Sequence, residues 1–261
     1  MKVFVFASGS SGNCLLLSNG DTNILIDAGI SMRRLATLLA QAGHTMRDIG
    51  GVLITHEHSD HISGLNMLLK YYNMQVYAPR TVAYRLHGKL PIVENHLRII
   101  PVGEDFRLGS LTIKAFHTSH DTDESVGYRV EGQGVFSLAT DTGCITEEIE
   151  AGLTGAGTVL IESNHDEDML RYGPYPVYLK RRILSDRGHL SNADCAALAR
   201  RLAEGGTKRL ILGHLSRENN RPEKAMQAAQ AAVEGLNVDL YCAPVTGCLE
   251  VPVGKAELCL A

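Results

Sequence analysis

Tryptophan is absent from the chain and aromatic residues make up only 5% of it, so extensive stacking on nucleic-acid bases is not advertised. A formal net charge of −4 likewise supplies no chain-wide basic field of the kind that marks many nucleic-acid binders. No run of 18 or more apolar residues occurs, which leaves no candidate for a membrane-spanning helix. Met1–Ala7 carries too short an apolar stretch for a secretory signal and reads as a first strand. The six cysteines (Cys14, Cys144, Cys195, Cys242, Cys248 and Cys259) include no CxxC pair, which favours free thiols in a reducing, cytoplasmic setting. Low-complexity tracts, short-period repeats and Pro/Ser-rich linkers are also missing, so one domain over residues 1–261 is expected.

With 44% hydrophobic residues, the chain can bury a large core. Alternating apolar runs at Val3–Ala7, Leu15–Leu17 and Thr22–Asp27 predict an opening meander, followed by a helix that Ser31 caps and Gly43 ends. Gly51–Ile54 reads as a buried strand, Ile62–Lys70 as a helix, Gln75–Ala78 as a short strand and Thr81–His87 as a helix. Strands are predicted at Leu97–Val102, Phe106–Leu108, Leu111–Phe116, Val126–Val130 and Val135–Leu138. The second half repeats the theme. Strands at Thr158–Glu162, Arg209–Gly213, Val238–Ala243 and Cys248–Val251 surround helices at Asn192–Glu204, capped by Ser191, and Pro222–Glu234, with proline at its first position. Two β-rich halves that each carry helices fit an α/β fold of two sheets sandwiched between helical layers.

The densest chemical signal is Thr55-His56-Glu57-His58-Ser59-Asp60-His61, which follows the predicted Gly51–Ile54 strand directly. Imidazole nitrogens and carboxylate oxygens suit Zn²⁺, Mn²⁺ or Fe, and a strand that opens into such a loop is a metal site. His56 and His58 can converge on one ion while Asp60 and His61 face a second. A second local signal is charge: Arg171, Lys180, Arg181, Arg182 and Arg187 fall close together and read either as a phosphate-binding patch or as a solvated helix face. Ser8-Gly9-Ser10-Ser11-Gly12-Asn13 could cradle phosphate with backbone N–H groups, with Ser10 and Asn13 as substrate contacts, although a tight turn explains the glycines equally well.

The HxHxDH spacing resembles the signature of the metallo-β-lactamase superfamily. Three further segments resemble its later motifs in order: Thr118-Ser119-His120-Asp121, Ala139-Thr140-Asp141-Thr142-Gly143 and Leu212-Gly213-His214-Leu215-Ser216, each after a predicted strand. The resemblance implies an αββα sandwich of two mixed β-sheets flanked by helices. It also implies two divalent ions, Zn or Mn: His56, His58 and His120 at one, Asp60, His61 and His214 at the other, with Asp141 bridging. His117 competes with His120 and is read as a supporting or core residue. Asp27, ending an apolar strand, matches the first motif, where the carboxylate supports the metal loop by hydrogen bonding. His44, His87 and His96 are read as surface or packing residues.

Leu160-Ile161-Glu162-Ser163-Asn164-His165-Asp166 and Ser185-Asp186-Arg187-Gly188-His189-Leu190-Ser191 resemble the Glu/His pair of the ribonuclease Z branch, and the full motif set is most similar to YycJ/WalJ-type bacterial metallohydrolases. The interval between Asp141 and His214 is too short for the β-CASP insertion of ribonuclease J-like enzymes, and no long arm of the ribonuclease Z kind is recognisable. The resemblance therefore implies a dinuclear metal phosphodiesterase, a nuclease with 5′→3′ exonuclease action on DNA. Asp60, His189 and Glu162 form the expected catalytic set, with His189 as general acid. Asn164, His165 and Asn220 are expected to hold phosphate. The alternative is a small-molecule metallohydrolase, a cyclic phosphodiesterase or a thioesterase, on the same centre.

Overall fold

A computed structural model of the chain describes residues 1–254; Cys259 lies outside them. The first half builds one sheet from β1 (Lys2–Ala7), β2 (Cys14–Asn19), β3 (Thr22–Ile26), β4 (Ile49–Leu53), β5 (Val76–Ala78) and β6 (Leu97–Ile99). Its helices are α1 (Met32–Gln41), α2 (Ser59–Ile62), α3 (Leu65–Tyr71) and α4 (Arg80–Lys89). The second sheet comprises β7 (Asp105–Leu108), β8 (Leu111–His117), β9 (Val126–Glu131), β10 (Val135–Ala139), β11 (Thr158–Glu162), β12 (Arg209–Gly213) and β13 (Asp239–Cys242). It carries α5 (Glu147–Leu153), α6 (Glu167–Tyr172), α7 (Val177–Ile183), α8 (Asn192–Glu204) and α9 (Pro222–Ala232). The last strand, β14 (Leu249–Pro252), returns to pair antiparallel with β1. Strand orders are β14-β1-β2-β3-β4-β5-β6 and β13-β12-β11-β10-β9-β8-β7, each mixed parallel and antiparallel.

The apolar strands are buried on both faces, and alternate residues enter different cores. Val3 and Val5 of β1 point between the sheets, where they meet Ile113, Tyr128, Phe136 and Leu160. Phe4 and Phe6 of the same strand face Leu35, Leu39, Leu65 and Leu86 in the outer helical layer. On the far side, Val159 and Ile161 of β11 pack with Ile149, Leu198, Leu202 and Ala229 from α5, α8 and α9. These three cores define the αββα sandwich. Among the described residues no helix is long and apolar enough to cross a membrane, and the five described cysteines are free, with Cys14 and Cys195 buried.

Several predicted boundaries move for reasons outside the local pattern. The helix expected over Ile62–Lys70 is broken into α2 and α3 at Ser63-Gly64. A Cβ on Gly64 would come within 1.9 Å of the Ile30 carbonyl oxygen, and its N–H donates to the Ala28 carbonyl at 2.8 Å, so the break is where two backbones touch. Ser31 caps α1 by accepting from Arg34 N–H, and Ser191 caps α8 by accepting from Asp194 N–H. Helices α5 to α7 have no counterpart in the expected pattern; the first is capped by Thr146, which accepts from Ile149 N–H.

Candidate metal centre

The parallel strands β10, β11 and β12 are in register, Ala139 beside Ile161 and Glu162 beside Gly213, so their carboxyl ends deliver Asp141, Glu162 and His214 to one place. In the other sheet β3 and β4 are also parallel, which sets Asp27 beside the start of the Thr55–His61 loop. The non-glycine residues with positive φ among those described are Asp27 (59°), Asp141 (55°) and His214 (55°), each just past a strand end. Asp and His are among the residues that tolerate this conformation, at a cost of about 1–3 kcal/mol each. The strain turns each side chain out of its strand direction and into the space between the sheet ends.

The loop itself is tied to both sheets. Tyr128 is buried in the inter-sheet core and its hydroxyl donates to the Ile54 carbonyl at 2.6 Å, while Val126 N–H donates to the Thr55 carbonyl at 3.1 Å. Asp27 accepts from Thr55 N–H at 2.9 Å and from His61 Nδ1 at 2.7 Å. The Ser8–Asn13 segment closes over the loop as a turn: Asn13 N–H donates to the Asp60 carbonyl oxygen and Asn13 Oδ1 accepts from Gly9 N–H. Gly29 is required there, because a Cβ would lie 1.6 Å from that same Asp60 oxygen.

Four imidazoles share one arrangement. His61 Nδ1 donates to Asp27, His214 Nδ1 to Glu162 Oε1 at 2.9 Å, His120 Nδ1 to the Gly188 carbonyl at 3.2 Å and His56 Nδ1 to Thr55 Oγ1 at 3.1 Å. With the outer nitrogen held by an acceptor, the inner nitrogen is the one that can offer its lone pair to a cation once it has given up its proton. Potential ligand atoms fall into groups whose members lie within 4.8 Å of one another: His56, His58 and His120; Asp60, His61 and His214; His56, His61 and Asp141; and Asp141, Glu162, His189 and His214. Asp141 sits among them, 3.3 Å from His61 Nε2, 3.5 Å from His214 Nε2 and 3.7 Å from His120 Nε2.

The donor set fits divalent cations. His56 Nε2, His214 Nε2 and Asp141 Oδ2 are buried and make no hydrogen bond, a costly state for polar atoms unless something else pairs with them. Asp27, Asp141 and Glu162 are buried carboxylates, so positive charge is what the site demands. The surroundings of the histidines express the same demand. Burial opposes charge on His61, but Asp27 and Asp141 outweigh it and hold the ring protonated well above its usual range. His214 behaves alike, with burial outweighed by Asp141, Asp60 and Glu162. Burial also opposes charge on Asp60 and Asp141, yet His214 and His61 keep both well below the usual carboxylate range. His56 shifts the other way, lowered by burial and then by the His61 charge.

A cavity of about 240 Å³ opens over this cluster. His58, Asp60, His120, Asp141, His189 and His214 face it, with Ser10, Asn164 and Ser216 at its sides. His189 Nδ1 donates to Glu162 Oε1 at 2.7 Å, so one carboxylate orients both His189 and His214. Burial opposes charge on His189 but Glu162 raises its pKa, while Glu162, opposed by its own burial, is lowered to about 2 by His189 and His214.

Other expected contacts lie elsewhere. His165 is 1% exposed and does not line the cavity. Asn220 is buried too and does not line the cavity, its amide donating to the Ser163 and Asn164 carbonyls and to Asn192 Oδ1, so it braces the strand end. Asn13 spends its amide on Gly9, Asp60 and His61, behind the cavity wall. His117 is neither core nor support: it stands on the surface with Glu148. Of the basic cluster, Arg187 turns inward and donates to the His120 and Thr122 carbonyls at 2.8 and 2.6 Å, whereas Arg182 lines the cavity and pairs with Asp121. Asp121 carries no role in the sequence reading. Its carboxylate lies 3.3 Å from His120 Nε2 and 3.9 Å from His58 Nε2, a place that the SHD segment itself could have signalled.

Residues 22–215 match the β-lactamase superfamily domain. The chain is 38% identical to the exodeoxyribonuclease YycJ of Bacillus anthracis over 88% of both chains, and 39% identical to the exodeoxyribonuclease WalJ of Streptococcus pneumoniae over 91% of both. Its fold superposes on the metallo-β-lactamase fold protein YhfI of Bacillus subtilis with a TM-score of 0.72 at 17% identity, covering 96% of this chain and 99% of that one. With His and Asp side chains converging from the ends of two facing sheets, and with this likeness over most of its length, the chain belongs to the metallo-β-lactamase superfamily, in its YycJ/WalJ-type group.

Proposed function

We propose that the protein is a two-metal phosphodiesterase that acts as a 5′→3′ exonuclease on DNA. One observation carries the metal half of this reading: four buried imidazoles have their outer nitrogens pinned by acceptors while their inner nitrogens converge around Asp141. His56, His58 and His120 would hold one ion, Asp60, His61 and His214 the other, and Asp141 would bridge them. Zn²⁺ or Mn²⁺ suits these ligands. When bound, such ions lower the pKa of a water towards neutrality and offset charge on phosphoryl oxygens. Asp60, held so far below the usual carboxylate range, suits cation binding better than proton uptake. His189 faces the cavity with Nδ1 fixed by Glu162, which leaves Nε2 to deliver a proton to the leaving oxygen. Ser10 lines the cavity and would meet the phosphate, and Asn164 lines it too, with its amide donating to the His214 carbonyl at 2.8 Å. The nuclease half rests on the two exodeoxyribonuclease relatives.

The deciding assay gives metal-reconstituted protein 5′-phosphorylated single- and double-stranded DNA, RNA, a cyclic nucleotide and a thioester. Release of mononucleotides from the 5′ end of DNA is expected; preferential turnover of the cyclic nucleotide or thioester would replace the nuclease with the small-molecule reading.

Two further outcomes follow from the arginines. Arg187 clamps the backbone of the loop that carries His120, so Arg187→Ala should weaken metal binding about 10- to 100-fold, the range for removing a group that orients a ligand. Competition with a metallochromic chelator measures it, and unchanged affinity would show that the loop holds itself. Arg181 and Arg182 are exposed beside the cavity mouth, and their joint replacement by alanine should weaken single-stranded DNA binding and flatten its salt dependence, by about 0.7 in log–log slope for each phosphate left without its counter-charge. An unchanged slope returns them to a solvated helix face.

A further inference from the structure

The low aromatic content of the whole chain conceals a local cluster. Three of its nine tyrosines, Tyr172, Tyr175 and Tyr178, lie within seven positions, next to Arg171, Lys180, Arg181 and Arg182. Tyr175 lines the catalytic cavity together with Leu179 and Arg182. Tyr172 and Tyr178 flank it and are 86% and 74% exposed. Among the described residues no aromatic ring or side-chain cation packs on either of these two rings. Large rings left in water at the rim of a catalytic cavity are surface that the fold itself does not use.

The segment is also held rigid. Pro174 and Pro176 bracket Tyr175, fixing their own φ and restricting the residue before each. Lys180 Nζ donates to the Arg171 carbonyl at 2.8 Å, which ties α7 to the end of α6. Tyr178 and Arg182 are one helical turn apart and share a face, so the aromatic surface continues outward from the cavity wall. A backbone fixed in this way lowers the entropy lost when a ligand covers the rings.

We propose that Tyr172, Tyr175 and Tyr178 form a base-stacking platform for the unpaired nucleotides adjoining the one being cleaved, which makes a single-stranded polynucleotide end the form of substrate that this site grips. The inference rests on the nuclease reading above. Aromatic faces beside Arg181 and Arg182 match the two features of a single strand, stackable bases and a phosphate backbone, and stacking accepts any base. A base inside a duplex has both faces covered by its stacked neighbours, so the rings reach only a base that has left the stack.

The test compares a 5′-phosphorylated oligothymidylate with the same strand made abasic at the positions next to its terminal nucleotide. For the native metal-loaded protein, loss of a stacked base should lower kcat/KM by about 5- to 150-fold. Tyr172→Ala/Tyr178→Ala should lose a similar factor on the intact strand and show little further loss on the abasic one. Tyr172→Phe/Tyr178→Phe should keep both the rate and the abasic penalty. Because the chain has no tryptophan, binding can be followed by tyrosine emission, which the intact strand should quench in the native protein and far less in the alanine variant. An alanine variant that keeps the full abasic penalty overturns the platform, as does a native protein that degrades both strands equally fast. If the native protein cleaves neither strand yet degrades 5′-phosphorylated duplex DNA, the platform falls and the nuclease reading stands; if it cleaves no DNA yet hydrolyses bis(p-nitrophenyl) phosphate, the nuclease reading fails and the platform falls with it.

Discussion

Asp141→Asn should lose more than about 10²-fold in phosphodiester hydrolysis and no longer retain two divalent metals per chain, while its thermal unfolding stays cooperative. The expected loss exceeds the 10- to 100-fold typical of removing a group that only orients a ligand, because this carboxylate stands among the inner nitrogens of His61, His214 and His120. Asparagine is the informative replacement. Residue 141 has a φ of 55°, a conformation that asparagine tolerates and that would strain alanine, so folding and metal binding can be separated. The amide keeps the shape but removes the charge, and with it the attraction that balances two cations. Elemental analysis, circular dichroism and turnover measured on one preparation decide the matter. Undiminished activity, or two metals still bound in the variant, would overturn the bridging role of Asp141, and a native protein that holds only one metal would sink the dinuclear centre.

His189→Ala should keep its metals yet lose about 10²- to 10⁴-fold in rate, the span expected for a missing general acid or base. Its Nδ1 is fixed by Glu162 at 2.7 Å, and the ring faces the cavity. The loss should shrink on a substrate whose leaving group is p-nitrophenolate, a weak base that departs without a proton. Such selective rescue identifies proton delivery. Equal losses on both substrates would mean that His189 positions phosphate. Loss of metal would place it among the ligands, an outcome with a basis in the geometry, since His189 also groups with Asp141, Glu162 and His214.

The single carboxylate of Glu162 links these two roles. It is buried at the end of β11 and accepts from both His189 and His214, so the residue that orients the proposed ligand also orients the proposed acid. Any change at Glu162 therefore perturbs both functions, and single substitutions at the two histidines, not at Glu162, separate them.

Much of this was legible from local pattern. Thr158–Glu162, Asn192–Glu204 and Arg209–Gly213 have the predicted boundaries, because an apolar strand ending in a polar turn and a serine-capped helix are written in adjacent residues. The Thr55–His61 loop declared its chemistry for the same reason: its donors are contiguous and follow a buried strand. His120, Asp141 and His214 could be picked out only through their strand-end setting and the family resemblance, since nothing in their spacing says that they meet.

Direction and distance across elements belonged to the tertiary structure. Arg187 sits in a basic cluster, yet its guanidinium serves the backbone of the His120 loop. His165 and Asn220 stand in promising motifs and are nevertheless buried away from the cavity, while Gly64 breaks a helix because Ile30 passes against it. The tyrosines around Pro174 and Pro176 vanish in a chain-wide average, and Tyr175 reaches the cavity only because α7 and the segment before it fold against it. The amino-acid sequence by itself determined which groups could bind a cation and which strands and helices would carry them, since those depend on side-chain chemistry and on neighbours in the chain. Only the packing of two sheets face to face decided which donors converge, because a side chain's target is set by backbone register and strand-end turns that bring together residues as distant as Asp27, Asp141 and His214.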